Sequence, residues 1–407
     1  MPTTSFALTE ATARRQQSFD NEVIGLLDAI CADLEITSAM FGKAKDRYQS
    51  ISSYLDEEDS PLRKYHPFIY PHGSINTETT VKPIGEVEFD VDVICQMEIP
   101  ERMRQAAFLD LIYDRLKQRG IYTLKRMNRC VRVQYADEFH IDITPGTPDL
   151  AQGPENILVA DKELGGWKES NPKDYGVWFK AVAKLTPTII YESRELMAKI
   201  AAAEPLPAPK FTKPMFNRIV QLMKRHRDHA FAGDKNAPIS AIIATLACRS
   251  YQHHATNEEF YNQVEFLRTV IADMPSYITT FAGEESVPNP CNPLENYADK
   301  WKMKPERRVA FYEWHEAAVD HLDQVLGSFD KGKEALFESL SSAYGTQVVK
   351  RATFKQAEVR RSLAESFKIG VTKGTGIIAP IVGPYTSSKL SRNWWWKLLS
   401  GNEFQIK

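Results

Sequence analysis

Residues 72–96, HGSINTETTVKPIGEVEFDVDVICQ, set a Gly-Ser pair upstream of three acidic residues spaced two apart, Glu88, Asp90 and Asp92. Side chains two apart in a strand share a face, so the acids line one face while Val87, Phe89, Val91 and Val93 line the other. The apolar row can pack on helices. Carboxylates lined up side by side repel one another and raise each other's pKa, and divalent cations relieve that repulsion. Magnesium takes oxygen ligands and keeps water and phosphate in its shell, so two aspartates on one strand and a third on a neighbour suit two-ion chemistry. The run FHIDITPG, 139–146, offers that third carboxylate: Phe139, Ile141 and Ile143 alternate with His140, Asp142 and Thr144. The wet face of a two-layer sheet shows the same Asp-x-Asp, and Gly73-Ser74 alone is also an ordinary turn. In combination they fit a phosphate cradle, with Gly73 letting the backbone approach a ligand and Ser74 opening a helix over INTETTVK.

The chain has 407 residues, 43% hydrophobic and 26% charged, long enough for two to three domains and a large core. A net charge of −2 argues against an overall polycation that coats nucleic acid, although it is compatible with a local basic groove. Cysteines at 31, 95, 130, 248 and 291 show neither a Cys-x-x-Cys pair nor zinc spacing, so no disulfide framework or structural zinc is expected and a reducing cytoplasm is. The first residues lack the apolar core of a signal peptide, and no run approaches the roughly 18 apolar residues of a membrane helix.

Residues 8–50 read as one long amphipathic helix, with Val23, Leu26, Leu27, Ile30 and Leu34 at three-and-four spacing. From 66 to 144 an α+β texture follows: short alternating runs around a helical segment, ERMRQAAFLDLIYDRLKQRG, that Gly120 stops. Residues 145–173 read as loop, and 174–203 as helix with a break at Pro187. EPLPAPKFTKP, 204–214, reads as an extended connector before helical patterns that run to 369. The expected organisation is thus a catalytic lobe over 1–203, a helical lobe over 204–369 and a tail over 370–407.

Gly73-Ser74, Asp90-Val-Asp92 and Asp142, in this order, resemble the signature of the DNA polymerase β-like nucleotidyltransferase superfamily. More narrowly, HGSINTETTVKPIGEVEFDVDVIC and HIDITPG look like the bacterial cyclic-oligonucleotide synthases, the CD-NTases. FNRIVQLMKRHRDHAF…APISAIIATLA is similar to the segment in which that family carries a phosphate-contacting lysine and serine, here Lys224 and Ser240. NPCNPLENYADKW, 289–301, looks like its Asn-Pro loop packed between the lobes. The spacing from Ser74 makes Glu88-Phe-Asp90 a competing register for the metal pair, and FDVDV favours Asp90 and Asp92. The chain closes on Gln405-Ile406-Lys407 rather than on a small residue, so conjugation by ubiquitin-like machinery is not expected.

The resemblance implies an α+β fold: a bilobal polymerase β-like nucleotidyltransferase with a mixed-sheet catalytic lobe and an all-helical C-terminal lobe. It implies that Asp90, Asp92 and Asp142 bind two Mg2+ (or Mn2+) ions, with Asp142 also taking the acceptor hydroxyl's proton. Gly73, Ser74, Lys224 and Ser240 would hold the donor triphosphate. Lys224 in KRHR also fits a solvated basic face, and Ser240 also fits a helix cap. The implied product is a cyclic di- or trinucleotide messenger made from nucleoside triphosphates and sensed by a separate effector protein in CBASS-type anti-phage defence. No membrane and no obligatory nucleic-acid partner is expected. A linear oligonucleotide synthase, a transferase acting on RNA, protein or a small molecule, and a non-catalytic nucleotide-binding scaffold remain alternatives. The pairs His226/His229 and His253/His254, without carboxylate or cysteine at ligand spacing, read as surface or packing. Trp394 to Trp396 read as docking on the protein's own body rather than stacking a base or touching a membrane.

Overall fold

The computed structural model describes residues 3–85, 89–100, 103–120, 123–135, 139–161, 166–190, 213–365, 369–371 and 378–380. Glu88, most of the proline-rich connector and the tail segment with Trp394 to Trp396 and Gln405 to Lys407 lie outside the described residues. Two helices, α1 (Thr3–Leu34) and α2 (Ser38–Leu55), replace the single expected helix. The break lies at Thr37, whose extended backbone lets its side chain accept the Met40 N–H at 3.2 Å and start a new helix.

The strands β1 (Phe68–Pro71), β2 (Phe89–Gln96), β3 (Thr123–Arg126), β4 (Val131–Tyr135), β5 (Phe139–Pro148), β6 (Ile157–Asp161) and β7 (Gly166–Ser170) form one sheet. Its order is β1-β2-β5-β4-β3, with β6 and then β7 continuing from the far end of β5. Within this sheet β2 and β5 are parallel and the other pairings antiparallel. A parallel pair needs a crossover, supplied by α4 (Gln105–Arg119) together with β3 and β4. Gly120 ends α4 at φ 71°, as expected of a C-terminal glycine. The β6–β7 hairpin occupies part of the 145–173 stretch read as loop, because ILVAD and GWKES supply strand residues among the turn formers.

The apolar row of β2 (Phe89, Val91, Val93, Cys95) packs with Ile141 and Ile143 of β5 beneath α2 and α4. A second core gathers α6 (Met215–Ala230), α7 (Ser240–Asn257), α8 (Gln263–Ala272), α9 (Pro305–Leu326), α10 (Lys333–Tyr344) and α11 (Thr346–Glu365). It also takes in α1 and α5 (Pro172–Ala183), so the N-terminal helix packs with the helical half of the molecule rather than with the sheet. Helix α5 stops before Pro187, and a two-residue strand, β8 (Thr188–Ile189), pairs with β9 (Glu259–Phe260). The C-terminal part is not wholly helical: the ribbons β10–β11 (Thr279–Phe281, Glu284–Ser286) and β12–β13 (Pro288–Asn289, Asn292–Asn296) interrupt it, the second returning over β7. Among the described residues no helix is long and apolar enough to cross a membrane.

Candidate active site

The parallel register of β2 and β5 sets Asp92 opposite Asp142 and Asp90 opposite His140. Residues opposed in register point to the same side of a sheet, so the three aspartates expected to act together are neighbours. On the other flank of β5, Arg132 of β4 opposes Asp142 and donates Nε and Nη2 to its two carboxylate oxygens at 2.8 and 2.7 Å. The His140 imidazole contacts the Asp90 carboxylate. Burial works to raise the Asp90 pKa, but the hydrogen bond and charge of His140, with Arg132 and Lys224, hold it below the usual carboxylate range. Asp92 behaves oppositely: burial first, then the charges of Asp90 and Asp142, push it up to about 7.

Gly73 meets both requirements its position suggests. Its φ is +59°, and a Cβ there would stand 2.6 Å from Asp92 Oδ2. A bare backbone is therefore what leaves that oxygen open toward the cleft, while the neighbouring His72 N–H donates to the Asp92 carbonyl at 3.0 Å. The helix expected over INTETTVK is a single turn, α3 (Gly73–Asn76). It ends because the carbonyls that follow are taken by another helix. Asn217 and Gln221 of α6 donate to the Thr77 and Thr80 carbonyls, each at 2.8 Å. Lys224 Nζ donates to the Thr79 carbonyl at 3.0 Å and to its hydroxyl at 3.2 Å.

Lys224 thus sits against the Gly-Ser segment, 6% exposed, and the KRHR stretch is not a solvated face: Arg225 and His226 are buried too. Burial, then the charge of Arg227, lowers the Lys224 ammonium to about 8. Ser240 opens α7 without capping it; its hydroxyl accepts from Arg227 Nη1 at 2.9 Å. Gly73, Ser74, Asp90, Asp92, Lys224 and Ser240 all line one cleft of about 1240 Å³. Asp142, 9% exposed, stands behind them, engaged by Arg132. The Asn-Pro ribbon closes one side: Glu295 accepts from Ser170 Oγ at 2.8 Å and from the Asn171 N–H at 3.0 Å, joining β13 to the β7–α5 junction.

Residues 23–182 match the family model for the Second Messenger Oligonucleotide or Dinucleotide Synthetase domain, SMODS. A protein of Roseivirga ehrenbergii named c-di-GMP synthase is 30% identical over 278 residues, 67% of this chain and 71% of that protein. The chain belongs to the SMODS (CD-NTase) family of nucleotidyltransferases. The cyclic dinucleotide synthase CdnG of Bradyrhizobium diazoefficiens is a second relative, 26% identical over 408 residues, 92% of this chain and 94% of that protein. The structure of the Bradyrhizobium CdnG in complex with GTP superposes with a TM-score of 0.60 at 23% identity, over 81% of this chain and 97% of that one, and so shares the fold.

In this SMODS chain sequence reasoning passed over Arg132, His140 and Arg227, which line the cleft, and Asn217 and Gln221, which hold the segment after α3 from behind. Asn217, Gln221 and Lys224 recur at helical spacing on one face of a helix otherwise buried by apolar residues, a signal present in the sequence. Arg132 carried no such signal, because its pairing depends on the β4–β5 register. The His253/His254 pair, read as packing for want of a carboxylate, gains one from Glu258 once the helix end is folded. For two divalent ions at Asp90, Asp92 and Asp142 the donor chemistry fits, since all are carboxylate oxygens and Asp92 is buried among like charges with a glycine beside it, while both Asp142 oxygens are held by Arg132 in this structure.

Proposed function

We propose that this chain condenses nucleoside triphosphates, two molecules of guanosine triphosphate in the simplest case, into a cyclic dinucleotide with release of pyrophosphate. The observation that carries the reading is the register pairing of Asp92 with Asp142 beside Asp90, directly under Gly73 and across one cleft from Lys224. The cleft exceeds the roughly 300–1,000 Å³ usual for a single small-molecule site, room for a donor and an acceptor nucleotide together. Guanine is favoured because one curated relative is named for c-di-GMP and the other's structure holds GTP.

In this reading Asp90, Asp92 and Asp142 hold two magnesium or manganese ions, which supply neutralisation of phosphate charge and acidification of the attacking hydroxyl. Asp142 receives the proton of that 3′- or 2′-hydroxyl on a carboxylate oxygen, and Arg132 fixes the plane of the carboxylate for it. Gly73, Ser74, Lys224 and Ser240 receive the donor triphosphate, and Arg227 orients the Ser240 hydroxyl. The product signals to a separate effector protein in cytoplasmic anti-phage defence.

Purified protein incubated with all four labelled nucleoside triphosphates and Mg2+ or Mn2+, then treated with phosphatase, is expected to yield a product resistant to phosphatase and to digestion from either end. Asp90→Asn/Asp92→Asn should abolish it. A product that end-digestion removes sinks cyclisation, and a product that survives the double substitution sinks the assignment of the aspartates.

A further inference from the structure

The C-terminal end of α7 carries a cluster of ligating groups outside the cleft. His253, His254 and Glu258 each offer one donor atom, and the three atoms lie within 4.8 Å of one another. Glu258 Oε1 stands 3.0 Å from His254 Nδ1 and 3.6 Å from His253 Nε2. Donor atoms around a tetrahedral zinc ion, with bonds of about 2.0–2.1 Å, stand about 3.4 Å apart. The two spacings bracket that value.

A second observation concerns His254 alone. The residue is 6% exposed, and its Nε2 lies 3.1 Å from Asp273 Oδ2. In the neutral imidazole a carboxylate at Nε2 keeps the proton there and leaves Nδ1 as a bare lone pair. Nδ1 is buried and makes no hydrogen bond, and what it faces is the Glu258 carboxylate, another acceptor. Two acceptors 3.0 Å apart call for a positive centre that both can reach. A carboxylate behind an imidazole is the arrangement that orients a metal-ligating histidine and raises its basicity. The site also lies where α7 ends, and the carbonyl end of a helix favours a cation.

We propose that His253 Nε2, His254 Nδ1 and Glu258 Oε1 bind one borderline transition-metal ion, zinc foremost, with Asp273 as the group that orients His254. Two imidazoles among three ligands select against magnesium and calcium, which take oxygen. His253 and Glu258 are half exposed, leaving the fourth position to water. The ion acts as a clasp: Glu258 leads directly into β9, which pairs with β8, and Asp273 caps α8 and holds Ser276 Oγ at 2.5 Å. The inference is independent of the active-site reading, since neither the ligands nor the metal class is shared.

The full-length protein is stripped with chelator, kept in millimolar Mg2+ to saturate all-oxygen sites, and titrated with ZnCl2 by calorimetry and with CoCl2 by visible absorption. One zinc per chain, a four-coordinate cobalt spectrum and a zinc-dependent rise in melting temperature are expected. His253→Ala, at an exposed position, and Glu258→Gln should each lose at least about tenfold in affinity, and Asp273→Asn about 10- to 100-fold. Absence of zinc uptake by the parent, or uptake unchanged in His253→Ala and Glu258→Gln, overturns the proposal. So does a melting temperature that zinc leaves unchanged, because no ion then clasps the end of α7.

Discussion

Gly73 stands where a left-handed backbone angle and a close approach coincide, so replacing it tests the site without touching a carboxylate. Gly73→Ala costs about 1 kcal/mol in backbone strain and forces the Asp92 carboxylate or the α3 turn aside. Activity should fall by about a hundredfold or more while the melting temperature drops by only a few degrees; kcat and thermal unfolding measured together separate the two effects. Lys224 gives a prediction in pH. Burial and Arg227 lower its ammonium to about 8, so it is charged below that value and progressively neutral above it. For the free enzyme kcat/KM should therefore decline as pH rises through about 8. The decline should disappear, on a lower plateau, in Lys224→Met. A profile identical in parent and variant would remove Lys224 from triphosphate binding.

Helix α6 shows how one element serves packing and site together. Its polar face holds the Thr77–Thr80 carbonyls, and farther along His226 Nε2 lies 2.9 Å from His321 Nδ1 of α9. Burial, then the charges of His321 and His229, lowers His226 to about 4, so it stays neutral in the folded protein while the unfolded chain titrates near 6.5. Between those values the unfolded state binds the extra proton. Stability from this residue is complete above about pH 6.5 and is lost as pH falls toward 4, by at most about 3 kcal/mol. Urea unfolding at pH 7.5 and pH 5 should show the drop, and His226→Gln should shrink it. The same scale explains what the sequence disclosed. Period-two alternation exposed Asp90, Asp92 and Asp142, and Gly73 was legible from the turn it makes. Their assembly was not, because an eight-residue parallel register between β2 and β5 is decided by the whole sheet. The β6–β7 hairpin was hidden by the prolines, glycines and asparagines around it, and the α1–α2 break by apolar spacing that runs on past Thr37.

Across the whole molecule the described first and last long helices lie together. Asp33 of α1, 5% exposed, accepts from Arg351 Nε and Nη2 of α11 at 2.9 and 2.8 Å, with Lys355 at 3.4 Å. Burial works to raise the Asp33 pKa, and the two cations outweigh it, so the carboxyl lies below the usual range. Arg351→Ala leaves this buried carboxylate to Lys355 alone. It should cost about 1–2 kcal/mol, discounted because Arg351 is half exposed, and Arg351→Lys should recover part of the loss. Equilibrium urea denaturation reads both values, and an Arg351→Ala variant as stable as the parent would show the pair to be ornamental.

The closure of α1 on α11 also bears on synthesis. The apolar stripe of Val23, Leu27, Ile30 and Leu34 shares its core with Val348, Val349 and Ala352, and Asp33 and Arg351 are 318 residues apart. A ribosome adding about 5–20 residues per second takes roughly 15–60 s to cover that distance. For that interval the side of the helix that faces α11 stays uncovered, although α5 and α6 of the same core are made earlier. Order of translation and order of packing run against each other here, and chaperone occupancy early in the chain is the natural counterpart of a helix that must wait to be enclosed.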